Sequence, residues 1–225
     1  MTFSLVARCK DSGMFGIAIS SSSPAVAARC SWAEAGVGAV ASQNVTDPSL
    51  GPAALALMKQ GASASDALAE IASNSNFIEY RQLLAVDKNG TTHIYSGNKA
   101  LGTVAEHATT DAASAGNLLA NTTVPQAMVE AFHSTTGHLG DRMVKALQTA
   151  LSAGGEAGPV HSAGLLLVDN VSWPVAELRC DWAPDTCPIE NIAVAWQAYK
   201  PQLADYTQRA LDPTQAPSYG VPGDE

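Results

Sequence analysis

The chain has 225 residues, 46% of them hydrophobic, which suits one large domain with a sizeable core and argues against disorder. Its formal charge of −9 and the lack of any Lys/Arg cluster exclude nucleic-acid binding by phosphate neutralisation. No apolar run reaches membrane-spanning length and no basic-then-apolar leader opens the chain, so no membrane association and a cytoplasmic location are expected.

Residues 2–9 (TFSLVARC) read as a strand, KDSG at 10–13 as a turn, and residues 14–21 (MFGIAISS) as the returning strand. A Ser/Pro/Ala crossover with Trp32 leads to a third strand of small residues at 36–42. After DPSLGP the period changes: Ala53, Leu55, Ala56 and Met58 begin a helix, with Pro52 near its first turn and Gly61 ending it. Ser63 or Ser65 can cap a second helix, SASDALAEIA. Strands at 80–87 and 91–97 flank a KNG turn, and more extended chain runs to about 115. Helices are expected at 124–133 and 138–153, then a buried strand at 162–169 with a partner at 173–180. An amphipathic segment from 188 follows, which Pro201 should kink or break.

Strands in hairpins, helices in pairs and no G-x-G-x-x-G after the first strand argue against a doubly wound sheet. Two packed sheets covered by helices fit better. The chain, 1–225, is expected to be one domain, with about 188–225 forming a C-terminal helical segment and an irregular tail rich in Pro and Gly. Cys9, Cys30, Cys180 and Cys187 have no C-x-x-C spacing and are expected to be reduced thiols, not zinc ligands or a disulfide framework.

The first strand carries the chemistry. Alternation puts Phe3, Leu5, Ala7 and Cys9 on one face and Thr2, Ser4, Val6 and Arg8 on the other. The polar face needs partners: it lines an open cleft, or it is an edge or solvent face. A four-residue loop at 10–13 pairs Cys9 with Met14 and sets Thr2 opposite Ser21, within a slip of one or two residues. Methionine ahead of a small residue such as Thr is usually excised. A chain beginning at Thr2 carries a hydroxyl and an α-amine of intrinsic pKa about 8, nucleophile and base on one residue. The same Thr also serves simply as the first residue of a strand.

Other polar groups have two readings each. Asp47, ahead of Pro48, is a helix-cap or turn residue before it is a catalytic one. Asn44 sits in the loop beside the proposed cleft and can donate and accept. Arg81 can hold a substrate carboxylate bidentately or pair with a structural one. Asn117 lies in an apolar stretch and needs a partner; His161 begins a buried strand, as a strand-end site or a satisfied structural residue. Trp32, Trp173, Trp182 and Trp196 are core or interface anchors.

The stretches MTFSLVAR, GIAISS, AGVGAVASQNVTDPSLG, EYRQLLAVD, AGNLLAN, GEAGPVHSAGLLLV and RALDPTQAPSYGVPGDE resemble one bacterial family over essentially the whole chain. It is the N-terminal-nucleophile-hydrolase-like family catalogued as domain of unknown function 1028. The resemblance implies an α+β fold, a four-layer αββα sandwich as in proteasome subunits. It also implies Thr2 as nucleophile at the head of the first strand, with an oxyanion hole of backbone N–H groups near Ser42, Gln43 and Asn44. Ser4, Ser21, Arg81, Asn117 and His161 would then shape the substrate pocket.

The chain departs from that pattern in two places. No Lys occurs between residues 20 and 45, and Ser22 stands where the family commonly carries Arg or Lys. Proteasome-type peptidase activity is therefore not expected, and Ser4 or Ser21 are alternative reacting groups. The expected function is hydrolysis of a small amide or related C–N bond through an acyl-enzyme. The alternative is a module that binds a small metabolite or a peptide fragment without cleaving it. A small-molecule substrate, no metal or organic cofactor, and a homo-oligomer using the C-terminal Trp196, Tyr199 and Tyr206 complete the expectation.

Overall fold

A computed structural model describes residues 1–223; the last two tail residues lie outside them. In chain order the elements are β1 (Thr2–Arg8), β2 (Phe15–Ser21), α1 (Val26–Cys30), β3 (Ser31–Glu34), β4 (Gly38–Asn44), α2 (Leu50–Lys59) and α3 (Ala64–Asn74). Then come β5 (Arg81–Asp87), β6 (Thr92–Ser96), β7 (Ala105–Thr109), β8 (Ala112–Asn117), α4 (Val124–Ser134) and α5 (Leu139–Ser152). The chain closes with β9 (Ser162–Val168), β10 (Ala176–Cys180), α6 (Pro188–Tyr199) and α7 (Leu203–Leu211).

The strands form two antiparallel sheets, β10-β9-β2-β1-β8-β7 and β3-β4-β5-β6. Three apolar layers define their stacking. Phe3, Leu5 and Ala7 pack outward under α4, α5 and α6 with Phe132, Leu147 and Trp196. Val40, Leu83 and Ala85 pack outward under α2 and α3 with Leu55, Leu68 and Ile71. Val6, Ile17, Ala41, Leu84 and Ala115 lie between the sheets. The result is an α+β fold, a four-layer αββα sandwich. Among the described residues no helix is long and apolar enough to cross a membrane.

The turn at 10–13 gives the register expected from the sequence. Cys9 N–H donates to Met14 O at 2.8 Å, and Phe3 faces Ser20, which puts Thr2 opposite Ser21. Ser63 is the cap of α3, accepting from Asp66 N–H. A 3-10 turn at Lys200–Gln202 separates α6 from α7 at Pro201.

Three expectations need correction. The crossover after β2 contains α1 and β3, short elements whose apolar period is too brief to read. The strand placed at 36–42 runs Gly38–Asn44, because 35–37 form the β3–β4 turn closed by Val37 N–H on Glu34 O. The strand placed at 173–180 begins only at Ala176; Pro174 has no N–H to offer a ladder.

In the C-terminal segment Trp196 takes the core one of its two readings. Trp196 is fully buried in its own chain, its indole N–H donates to Asp141 Oδ1 at 2.9 Å, and Tyr199 donates to Val175 O. A Cβ on Gly140 would lie 2.3 Å from the Trp196 ring, so α5 meets α6 at a glycine because of close approach. Only Tyr206, stacked on Tyr199, keeps a third of its surface open at 37%.

Candidate active site

β1 is a central strand, so the polar face of Thr2 and Ser4 is neither an edge nor a solvent face. It looks into the space between the sheets, where Thr2 is 5% exposed and Ser4 fully buried. Both residues find protein partners, as buried polar groups must. Arg8, at the other end of the same face, pairs with Asp111 at 2.9 Å.

Register assembles a transverse row. Ser21 faces Ser162 across β2–β9, and Thr2 faces Asn117 across β1–β8. Directly opposed residues of antiparallel strands point to one face. Ser162, Ser21, Thr2 and Asn117 therefore stand side by side at one end of the inter-sheet layer, whose other end is apolar.

From the opposite sheet come Gln43 and Gln82, paired in register and fully buried. Ser4 Oγ donates to Gln43 Oε1 at 2.6 Å, and Gln43 Nε2 donates to Gln82 Oε1 at 2.8 Å and Ala115 O at 3.2 Å. Gln82 Nε2 donates to Ser96 Oγ and Gly116 O, and Asn117 Nδ2 to Gln82 Oε1. This neutral network ties the sheets together directly behind Thr2. One atom is left over: the buried Asn117 Oδ1 has no hydrogen-bond partner.

Met1 sits over this row. Its carbonyl oxygen accepts from the hydroxyls of both Thr2 and Ser21, and its thioether methyl lies over Gly158, 3.6 Å from where a Cβ would be. Thr2 Oγ1 and Ser21 Oγ are 3.4 Å apart. The open cleft expected at Thr2 is thus filled by residue 1. The roomier surface grooves, one of about 640 Å3 at Glu34, Lys59 and Trp173, are lined by neither Thr2 nor Ser21.

Sequence reasoning missed Glu156. This carboxylate is 4% exposed, follows the left-handed pair Gly154–Gly155, and receives Ser22 N–H on both oxygens at 3.1 Å. Burial raises its pKa from 4.5 to about 7, and the Met1 α-ammonium only partly offsets this. The available signal was an acidic residue within GGEAGPVHS, where the two leading glycines create a turn.

That shift has a consequence for stability. Between about pH 4.5 and 7 the native state holds a proton on Glu156 that the unfolded chain has released. The contribution of this group is therefore most favourable below 4.5, falls as pH rises, and levels off above about 7. Thermal melts of wild type and Glu156→Gln across that window are expected to diverge, the variant gaining up to roughly 3 kcal/mol relative to wild type by neutral pH.

The remaining expected site residues are placed as follows. Asn44 has a left-handed backbone (φ 72°); its amide donates to Tyr80 O and accepts Leu101 N–H, so it braces loops. The β3–β4 ladder ends at Ser31–Ala41, leaving one backbone edge of Ser42, Gln43 and Asn44 outside any ladder. Arg81 donates to Val45 O, steadying the loop that leaves β4. Asp47 accepts from the N–H and hydroxyl of Ser49, which hold its pKa below the usual range: a turn residue. His161 clamps the end of β2 to loop 181–183: its N–H reaches Ser21 O, its carbonyl takes Ala183 N–H, and its ring lies on Trp182 at 4.8 Å. Ser162 Oγ donates to Ser23 O at 2.6 Å and accepts Val26 N–H, holding the start of α1. Among the described residues no group of three or more His, Cys, Asp or Glu is gathered to hold a metal ion.

Comparison with known proteins agrees with this architecture. The model of the Family of unknown function (DUF1028) matches residues 2–192. The crystal structure of protein SPO2555 from Silicibacter pomeroyi, of the same family model, superposes with a TM-score of 0.85 at 26% identity, over 92% of this chain and 94% of that one. Eukaryotic HslV from Trypanosoma brucei gives a TM-score of 0.45 at 11% identity, over 76% of this chain and all of that one. Anbu (ancestral beta-subunit) from Yersinia bercovieri gives 0.36 at 9% identity, over 97% and 100%. No curated protein matches the chain.

Proposed function

The chain belongs to the DUF1028 family, a family of unknown function, and from that premise we propose that it is an amidohydrolase of N-terminal nucleophile type, cleaving a small amide or related C–N bond. One observation carries the reading: at the head of β1 the hydroxyls of Thr2 and Ser21 converge on one acyl carbonyl, that of Met1. An acyl group held there lies beside the nucleophile.

With Met1 removed, the Thr2 α-amine takes the proton of its own hydroxyl, and Oγ attacks the substrate carbonyl carbon. The Ser21 hydroxyl and backbone N–H groups at Ser42–Asn44 stabilise the oxyanion. The C–N bond breaks as the proton passes to the leaving amine. Water, deprotonated by the same α-amine, then attacks the Thr2 ester and frees the acid. Asn117 Oδ1, buried without a donor and on the residue paired in register with Thr2, is an open acceptor at the proposed site.

The non-catalytic binding reading is favoured by the missing lysine between residues 20 and 45. Amine release from a panel of small amides by protein beginning at Thr2 separates the two, with Thr2→Ala as control. Release that survives in the control assigns the chemistry to another group.

A further inference from the structure

Residue 1 lies over the proposed site, and its contacts mark where an acyl group and its side chain have room. Its carbonyl lies on the hydroxyls of Thr2 and Ser21. Its side chain runs over Gly158, where no side chain intrudes. Beside it stands the buried Glu156, held by the N–H of Ser22, the neighbour of Ser21.

Glu156 is otherwise poorly supplied. A carboxylate offers about four acceptor positions. This one receives one backbone N–H, that of Ser22, shared between its two oxygens, and the Ser22 hydroxyl also favours its charged form. No Lys or Arg pairs with it among the described residues. A carboxylate only 4% exposed and without a fixed cation is costly, and a cation arriving at the site relieves that cost. Excision of Met1 would vacate this place and leave Glu156 facing it.

We infer, building on the reading of Thr2 as nucleophile, that the substrates are α-amino acid amides or short peptides with a free α-amine. They bind in the space that Met1 would vacate, in van der Waals contact with the Thr2 α-amine: ammonium toward Glu156, carbonyl toward Thr2 and Ser21, side chain toward Gly158. Glu156 is thus a specificity-determining residue. Hydrolysis consumes one water and yields the free amino acid and the amine.

The test uses full-length protein beginning at Thr2 with L-methioninamide and N-acetyl-L-methioninamide as probes. Binding is read by calorimetry or ligand-observed NMR, and ammonia release is followed separately. The free amine is expected to bind at least about tenfold tighter than the acetylated probe, and Glu156→Gln to erase that difference. Equal binding of both probes, binding of neither, or a preference that Glu156→Gln leaves intact overturns the inference. Selective, Glu156-dependent binding without ammonia release upholds this inference and defeats the nucleophile reading alone. Release from both probes without preference defeats this inference alone.

Discussion

Thr2→Ala, in protein from which Met1 has been removed, is expected to lower amide turnover by about 10^4-fold or more while the fold persists. Alanine is as small as threonine at the position that governs methionine excision, so the variant and wild type begin at the same residue. The α-amine remains; only the hydroxyl and a methyl group are lost. That hydroxyl contacts Met1 O and Ser21 Oγ and no member of the Ser4–Gln43–Gln82 network. Its loss should therefore cost only about 1 kcal/mol of stability, the net worth of an ordinary hydrogen bond. Thr2→Ser keeps hydroxyl and amine on one residue and is expected to retain measurable turnover. Unchanged turnover in Thr2→Ala would transfer the reaction to Ser4 or Ser21.

Gln43→Leu is expected to destabilise the protein by about 4 kcal/mol, read from a shifted denaturant midpoint. The side chain is fully buried between the sheets and volume is nearly conserved, so a cavity is not the cause. The cost comes from what it leaves behind. Ser4 Oγ loses its acceptor, and Gln82 Oε1 and Ala115 O each lose a donor, where water does not reach. Gln43→Glu is the informative companion: it retains an acceptor for Ser4 but places a carboxylate against Gln82 Oε1, and should also destabilise.

Much of this site could be read from residue order because it is built on strands. Alternation sent Thr2 and Ser4 to one face, and a four-residue turn placed Ser21 beside Thr2, as found. The pairing of Thr2 with Asn117 could not be read, since it joins strands far apart in sequence whose order depends on the whole sheet. Gln43 was placed for its backbone; its side chain proved to be the hub of a network that only sheet-on-sheet packing creates. Glu156 was missed for the same reason. An acidic residue in a Gly-rich turn reads as a solvated one, and only the contact with Ser22 reveals a buried carboxylate at the chain start. For Asn44 and His161 a local reading of polar residues near strand ends overestimated their freedom: both are committed to backbone partners.

The central claim is that Thr2 presents a hydroxyl and a free α-amine together. Small amino-acid α′,β′-epoxyketones, capped and uncapped, test it most directly. The hydroxyl adds to the ketone and the α-amine opens the epoxide, so a stable ring forms only when both belong to one residue. Intact and peptide mass spectrometry of protein shown to begin at Thr2 is expected to find one whole reagent added at residue 2, and none in Thr2→Ala. No adduct, or one on Ser4 or Ser21 instead, would contradict the account.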